Sequence, residues 1–127
     1  MAEFDWVTER ANCSIAAVFA KFQTGVANDA STWNTLPDSA SRKIDIVEAA
    51  PVFKAVRRGV PSAGLWYVQF TCDAAAIRIR SNDDAIRIDA TLTLNNAGEC
   101  RLKVGANQEL ELWQVRRMAL EQLFFGA

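Results

Sequence analysis

The chain has 127 residues, is 50% hydrophobic and 23% charged, and carries a formal net charge of −1. This is the size and make-up of one globular domain, expected over 1–127, and a chain of this length buries enough surface to fold without a disulfide or a metal. Charges are also balanced along it: residues 1–63 hold seven cations and seven anions, residues 64–127 seven and eight, so no basic or acidic arm steers a distant partner.

Residues 4–34 have a helical period. Val7, Ala11, Ile15, Val18, Phe22 and Val26 recur at steps of three and four, and Phe19 and Trp33 extend the stripe. Ser14 is a candidate cap for a fresh start after Asn12 and Cys13, and Gly25 a weak point, so one bent helix and two consecutive helices both remain open. Leu36-Pro37-Asp38-Ser39-Ala40-Ser41 ends the helical region.

From Lys43 the period becomes two. Ile44, Ile46 and Glu48 mark a strand, Pro51 interrupts, and Val52 to Arg58 reads as a second strand or as the first resumed after a bulge. A loop over 59–64 precedes strands at 65–72 and 76–80, a turn at 81–84, the long alternating run 85–94, a turn at 95–98 and a return strand at 100–104. After a turn at 105–108, residues 109–113 alternate strictly and read as a short strand rather than the start of the last helix. Helix is expected from about Gln114, with Val115, Met118, Ala119 and Leu123 as its inner face.

The expected fold is therefore α+β: one or two N-terminal helices, a five- to six-stranded antiparallel meander and a C-terminal helix. Both helical regions pack on one sheet face, making two layers. The inner set is Ile77, Ile79, Ile86, Ile88, Ala90, Leu92, Leu94, Cys100, Leu102 and Val104, with Trp66, Val68, Phe70 and Cys72 in the same phase.

Much chemistry is excluded. With no histidine, the chain has no Ser-His or Cys-His catalysis and no His-ligated metal. The six glycines stand singly and form no phosphate-cradling loop. Asp83-Asp84 reads as a turn. The carboxylates Asp45, Glu48, Asp73, Asp89, Glu109 and Glu111 read as a solvated face, with no pair of them placed for acid–base work. Three cysteines without a C-x-x-C spacing argue against a disulfide framework and a zinc site. Cys13 reads as a small buried helix residue, and Cys72 and Cys100 as core. No metal, cofactor or catalytic residue is expected. The acidic start Met-Ala-Glu-Phe-Asp-Trp does not resemble a secretory leader, and no apolar run reaches the roughly 18 residues of a membrane span. The expected setting is cytoplasmic, away from membranes, and the Asn12-Cys13-Ser14 sequon reads as coincidence.

Two surfaces stand out. Opposite the inner set lie Arg78, Arg80, Arg87, Arg101 and Lys103, with Tyr67 and Gln69 in phase: cations beside an aromatic, as an anionic or single-stranded nucleic-acid ligand requires. The expectation is nevertheless an ordinary solvated face, because Glu109 and Glu111 on a neighbouring strand would cancel Arg101 and Lys103. The other surface is aromatic. Trp33 and Trp66 read as core, while Trp6, Trp113, Phe124 and Phe125 are candidate contact residues. Phe124 and Phe125 point about 100° apart on a helix, so one of them lies near its edge and needs cover, from Phe4, Trp6 and Val7 or from a second subunit. The leading expectation is a non-enzymatic protein-interaction module that pairs with itself as a homodimer or with another protein. The alternatives are a binder of a small apolar ligand between helices and sheet, and an anion or nucleic-acid binder through the arginine face.

Overall fold

The structure is a computed structural model, which describes residues 3–40, 42–49, 51–58, 64–105 and 108–126. Most of the loop expected over 59–64 and the middle of the turn expected over 105–108 fall outside these residues.

The N-terminal region is two helices. Helix α1 spans Trp6–Asn12, where the Asp5 carboxylate accepts from the Thr8 amide at 3.1 Å and from its hydroxyl at 2.7 Å. Helix α2 spans Ile15–Thr35, capped by Ser14, whose hydroxyl accepts from the Ala17 amide at 3.2 Å. The break at Cys13 and Ser14 puts α1 on its own course. Val7 and Ala11, expected to continue the buried stripe, are exposed, and no described residue of α1 is buried. The stripe of α2 itself is Val18, Phe19, Phe22, Val26, Ala30 and Trp33.

Seven strands follow in sequence order, every neighbouring pair antiparallel: β1 (Ile44–Ala49), β2 (Val52–Arg57), β3 (Tyr67–Cys72), β4 (Ile77–Ser81), β5 (Arg87–Leu94), β6 (Cys100–Val104) and β7 (Gln108–Leu110). The count is seven rather than five or six. Pro51 separates two strands instead of bulging one: Ala49 pairs with Val52 across the turn, where proline's missing N–H costs no ladder bond. Residues 108–110 form the seventh strand, and helix begins at Leu112, two residues before the expected start. The turns are built by carboxylates and amides folding back on the main chain. Asp73 Oδ1 accepts from the Ala75 and Ala76 amides, and Asn95 Oδ1 from Ala97 and Glu99. Gly98 closes the latter turn at φ 79°, a conformation that favours glycine.

Helix α3 (Leu112–Phe125) lies beside α2 and runs the same way. Arg116 crosses α2 at Gly25 to reach Asp29 at 2.8 Å, and Trp33 stacks on Phe124. Gly25 thus makes room for a crossing side chain: a Cβ there would stand 2.6 Å from the Arg116 guanidinium. Both helices cover the inner face, where Phe22, Phe53, Phe70, Ile77, Ile79, Leu102, Val115 and Leu123 are fully buried. Leu94 and Met118, expected inside, are largely exposed because each lies at the margin of the layer contact. Leu120 and Phe124 take the core positions on α3.

The cysteine reading is corrected. Cys13 at the end of α1 is bonded to Cys100 at the start of β6, with 5.6 Å between their Cα atoms, and the Cys100 amide donates to Glu9 Oε2 at 3.0 Å. This pair spans 87 residues, so no local spacing betrays it. Cys72 is the free thiol, half-buried rather than deep in the core.

Candidate functional site

On the outer sheet face the strand registers place the basic residues side by side. Arg78 pairs across to Thr71 and Asp89, Arg80 to Gln69 and Arg87, and Lys103 to Thr91 and Glu109. Each arginine has a carboxylate beside it. Arg78 meets Asp73 at 2.7 Å and Asp89 at 3.3 Å; Arg80 meets Asp89 at 2.8 Å; Arg87 meets Asp84 at 3.2 Å; Arg101 meets Glu99 at 3.0 Å and Glu111 at 4.0 Å. Hydrogen bonds from Arg80 hold the Asp89 carboxyl below its ordinary value, and the Ala75 amide and Arg78 do the same for Asp73. Tyr67 is half-buried, with the Lys54 ammonium 4.6 Å from its ring centroid and Trp66 edge-on at 4.8 Å. Gln69 is half-buried between Lys54 and Arg80.

The aromatic candidates divide. Trp6 is exposed on α1 near the Gly98 turn, together with Phe4. The ring contacts of the C-terminal phenylalanines are instead with Trp33 of α2. Phe124 is 7% exposed and stacks on Trp33 at 5.5 Å, whereas Phe125 is 66% exposed and meets the Trp33 edge at 4.9 Å. Trp113, on the first turn of α3, is 50% exposed and donates to Glu111 Oε2 at 3.1 Å.

Trp113 and Phe125 mark the two ends of one groove, about 380 Å³ in volume, between α2 and α3. Trp33, Leu120 and Phe124 line its apolar floor, and Leu36, 41% exposed, completes the apolar rim. The ion pairs Asp29–Arg116 and Arg117–Glu121 flank it at 2.8 and 3.3 Å. One end of the groove is anchored by Arg42, whose guanidinium donates to the carbonyls of Phe124 and Gly126, while the Arg42 carbonyl accepts from Trp33 Nε1 at 2.7 Å. Residue-by-residue reading missed Leu36, Arg42 and the Asp29–Arg116 pair. Only Leu36 carried a signal, as a large apolar residue stranded before Pro37.

A second cavity, about 430 Å³, opens between α2 and the ends of β1–β3, lined by Phe19, Val52, Phe53, Pro51, Gln23, Glu48 and the Cys72 thiol. Among the described residues no group of three or more His, Cys, Asp or Glu is placed to hold a metal ion, and no helix is long and apolar enough to cross a membrane. No family model, curated protein or solved structure matches the chain.

Proposed function

We propose that this domain is a non-enzymatic protein-interaction module whose binding surface is the α2–α3 groove. The observation that carries the reading is the set of exposed Leu36, Trp113 and Phe125 around one groove with an aromatic floor. Large aromatics left in water at a single concave place are what interfaces use as anchors, and the flanking charged pairs supply a polar rim. The four arginines of the outer face already have carboxylates beside them and the Lys54 ammonium stands over the Tyr67 ring, which weighs against the nucleic-acid alternative.

The test is site-specific photo-crosslinking in cells. A photoreactive phenylalanine analogue replaces Trp113 in one chain and Gln69, on the outer face, in a second. A discrete adduct from position 113 and none from position 69 is the expected result. No adduct from 113, or the same adducts from both, removes the reading.

The cavity beside Cys72 favours a second reading, a small apolar ligand seated against Phe19, Val52 and Phe53 and oriented by Gln23 or Glu48. Quenching of bound hydrophobic dye, lost in Phe19→Asp, would support it. A cytoplasmic setting stays part of the proposal and has its own test, since cytosolic thiols are kept reduced. Chain trapped by alkylation directly from cells decides it: free Cys13 and Cys100 thiols would fit a reducing compartment, whereas isolation with the two bonded, as in the structure, would place the chain in an oxidising one.

A further inference from the structure

We infer that the occupant of the groove is a second copy of this chain, docked α3 against α3 and antiparallel, about a twofold axis level with Ala119. This rests on the interaction-module reading and adds the partner and its register. Four exposed residues follow one another at steps of four along α3: Trp113, Arg117, Glu121 and Phe125, and all four line the groove. Steps of four trace one natural ridge of a helix surface, and two helices whose ridges of this kind lie side by side cross at about −50°.

The order along the ridge is aromatic, cation, anion, aromatic. Residues 113 and 125 share the midpoint 119 with residues 117 and 121. A copy running antiparallel therefore sets Trp113 against Phe125 of the second copy and Arg117 against its Glu121, and the twofold repeats both contacts. An isologous interface requires this of one patch: it must be complementary to itself under reversal. A parallel copy would set Arg117 on Arg117 and Glu121 on Glu121. The helix's own stability does not account for the order either, since an anion placed four residues before a cation is the more favourable arrangement within one helix, and here the cation comes first. Both side chains are more than half exposed, so they are available to a partner.

Sedimentation of the purified full-length chain over a range of concentrations tests the proposal. A reversible dimer is expected. Trp113→Ala should weaken it about 30-fold, because the twofold removes an aromatic anchor at both ends of the interface. Arg117→Glu and Glu121→Arg should each weaken it about tenfold, because the twofold turns one reversal into two like-charge contacts. The double reversal restores the dimer. Mixed one to one, the two single-reversal chains pair with each other more tightly than either pairs with itself, since one ridge then carries two anions and the other two cations. All these positions are exposed, and an unchanged circular-dichroism spectrum checks that the variants fold. A chain that stays monomeric to roughly 1 mM, or a dimer indifferent to the reversals and without preference in the mixture, overturns the proposal. A monomer that still gives a discrete adduct from position 113 overturns self-pairing alone and leaves the groove reading standing. A monomer with no adduct overturns both.

Discussion

The outer sheet face and the α2–α3 groove look alike in composition, each joining aromatic and charged residues, yet they differ in what is already satisfied. On the sheet face Arg78, Arg80, Arg87 and Arg101 each have a carboxylate within 4.0 Å, and the Tyr67 ring faces Lys54 and Trp66. In the groove the charges are paired too, but Trp113 and Phe125 keep half or more of their surface in water. Exposed ion pairs, whether on the sheet face or beside the groove, contribute little to stability. Fully burying a large apolar side chain is worth roughly 1.5–3 kcal/mol, and a partner can recover the share that these half-covered aromatics forgo. The contrast shows that a row of cations is a poor guide to a binding face until their partners are known, whereas an exposed aromatic at a groove is an unmet demand.

The largest expected effect falls on the groove floor. Trp33 is buried, stacks on Phe124, supports Phe125 and donates to the Arg42 carbonyl. Trp33→Ala should cost about 3–5 kcal/mol in denaturant unfolding, as large-to-small core changes do. A loss under about 1 kcal/mol would mean that the floor is not core and that the groove is loosely formed. The Cys13–Cys100 link sharpens the comparison from outside both regions, since α1 contributes to neither. Cys13→Ser should cost the oxidised chain about 2–4 kcal/mol, because it reopens a long closed loop. Self-association and crosslinking from position 113 should be unchanged. A change in either would tie α1 to the groove.

How far all this was legible in the sequence follows from the range of the interactions. The alternation in residues 67–104 and the turn residues at 81–84 and 95–98 are local, and they made the meander readable; the turn held by Asp73 was not singled out. A short strand before α3 was legible for the same reason, but its end was not: the alternation runs from Glu109 to Trp113, whereas the strand stops at Leu110 and helix starts at Leu112. The course of α1 was not: a continuous apolar period ran through Cys13 although Ser14 restarted the helix. The disulfide was hidden because its cysteines stand 87 residues apart and meet only where α1 returns to the β5–β6 end of the sheet. Of the site, Trp113 was visible as a tryptophan at the junction of strand and helix, and Phe125 as one of two adjacent phenylalanines that a helix cannot turn to the same side. Which phenylalanine would be buried, and what would cover it, depended on α2 and α3 lying parallel with Arg116 passing over Gly25, a tertiary fact without a local signature.

Arg42 offers a middle-sized test of how the groove is held. Its guanidinium satisfies carbonyls at the C-terminal end of α3, where a cation also meets the negative end of the helix dipole. Arg42→Ala should cost about 1–2 kcal/mol and fray the last turn of α3. Hydrogen exchange at Leu123, Phe124 and Phe125 should quicken while that in β4 and β5 stays slow. Equal quickening in both places would show that Arg42 supports the fold as a whole rather than the groove.

The smallest effect on stability, and the most direct attempt to break the comparison, is at Asp89. This carboxylate lies between Arg78 and Arg80, and its hydrogen bond from Arg80 keeps its proton affinity low in the folded chain. Asp73 and Asp45 are lowered as well. A lowered folded value means that the unfolded chain binds protons more readily. The stabilisation is therefore complete above the ordinary aspartate range, near about 3.9, and is lost as pH falls through the lower folded values. Unfolding midpoints should be flat from about pH 5 upward and decline below about pH 4, and a decline beginning near neutrality would contradict these pairings. Asp89→Asn removes one participant while leaving the backbone register untouched, so it should change stability by no more than about 0.5 kcal/mol. It also leaves Arg80 without its carboxylate. If pairing is what silences the sheet face, the parent chain should not shift single-stranded oligonucleotides even at low salt. Asp89→Asn and, more strongly, Asp89→Lys should acquire weak binding that falls steeply as salt is raised, through counterion release. Salt-sensitive binding by the parent chain would reverse the assignment and make the arginine face the functional one. Failure of Asp89→Lys to bind would show that the face lacks an open stacking ring as well as free charge, as the position of Lys54 over Tyr67 implies.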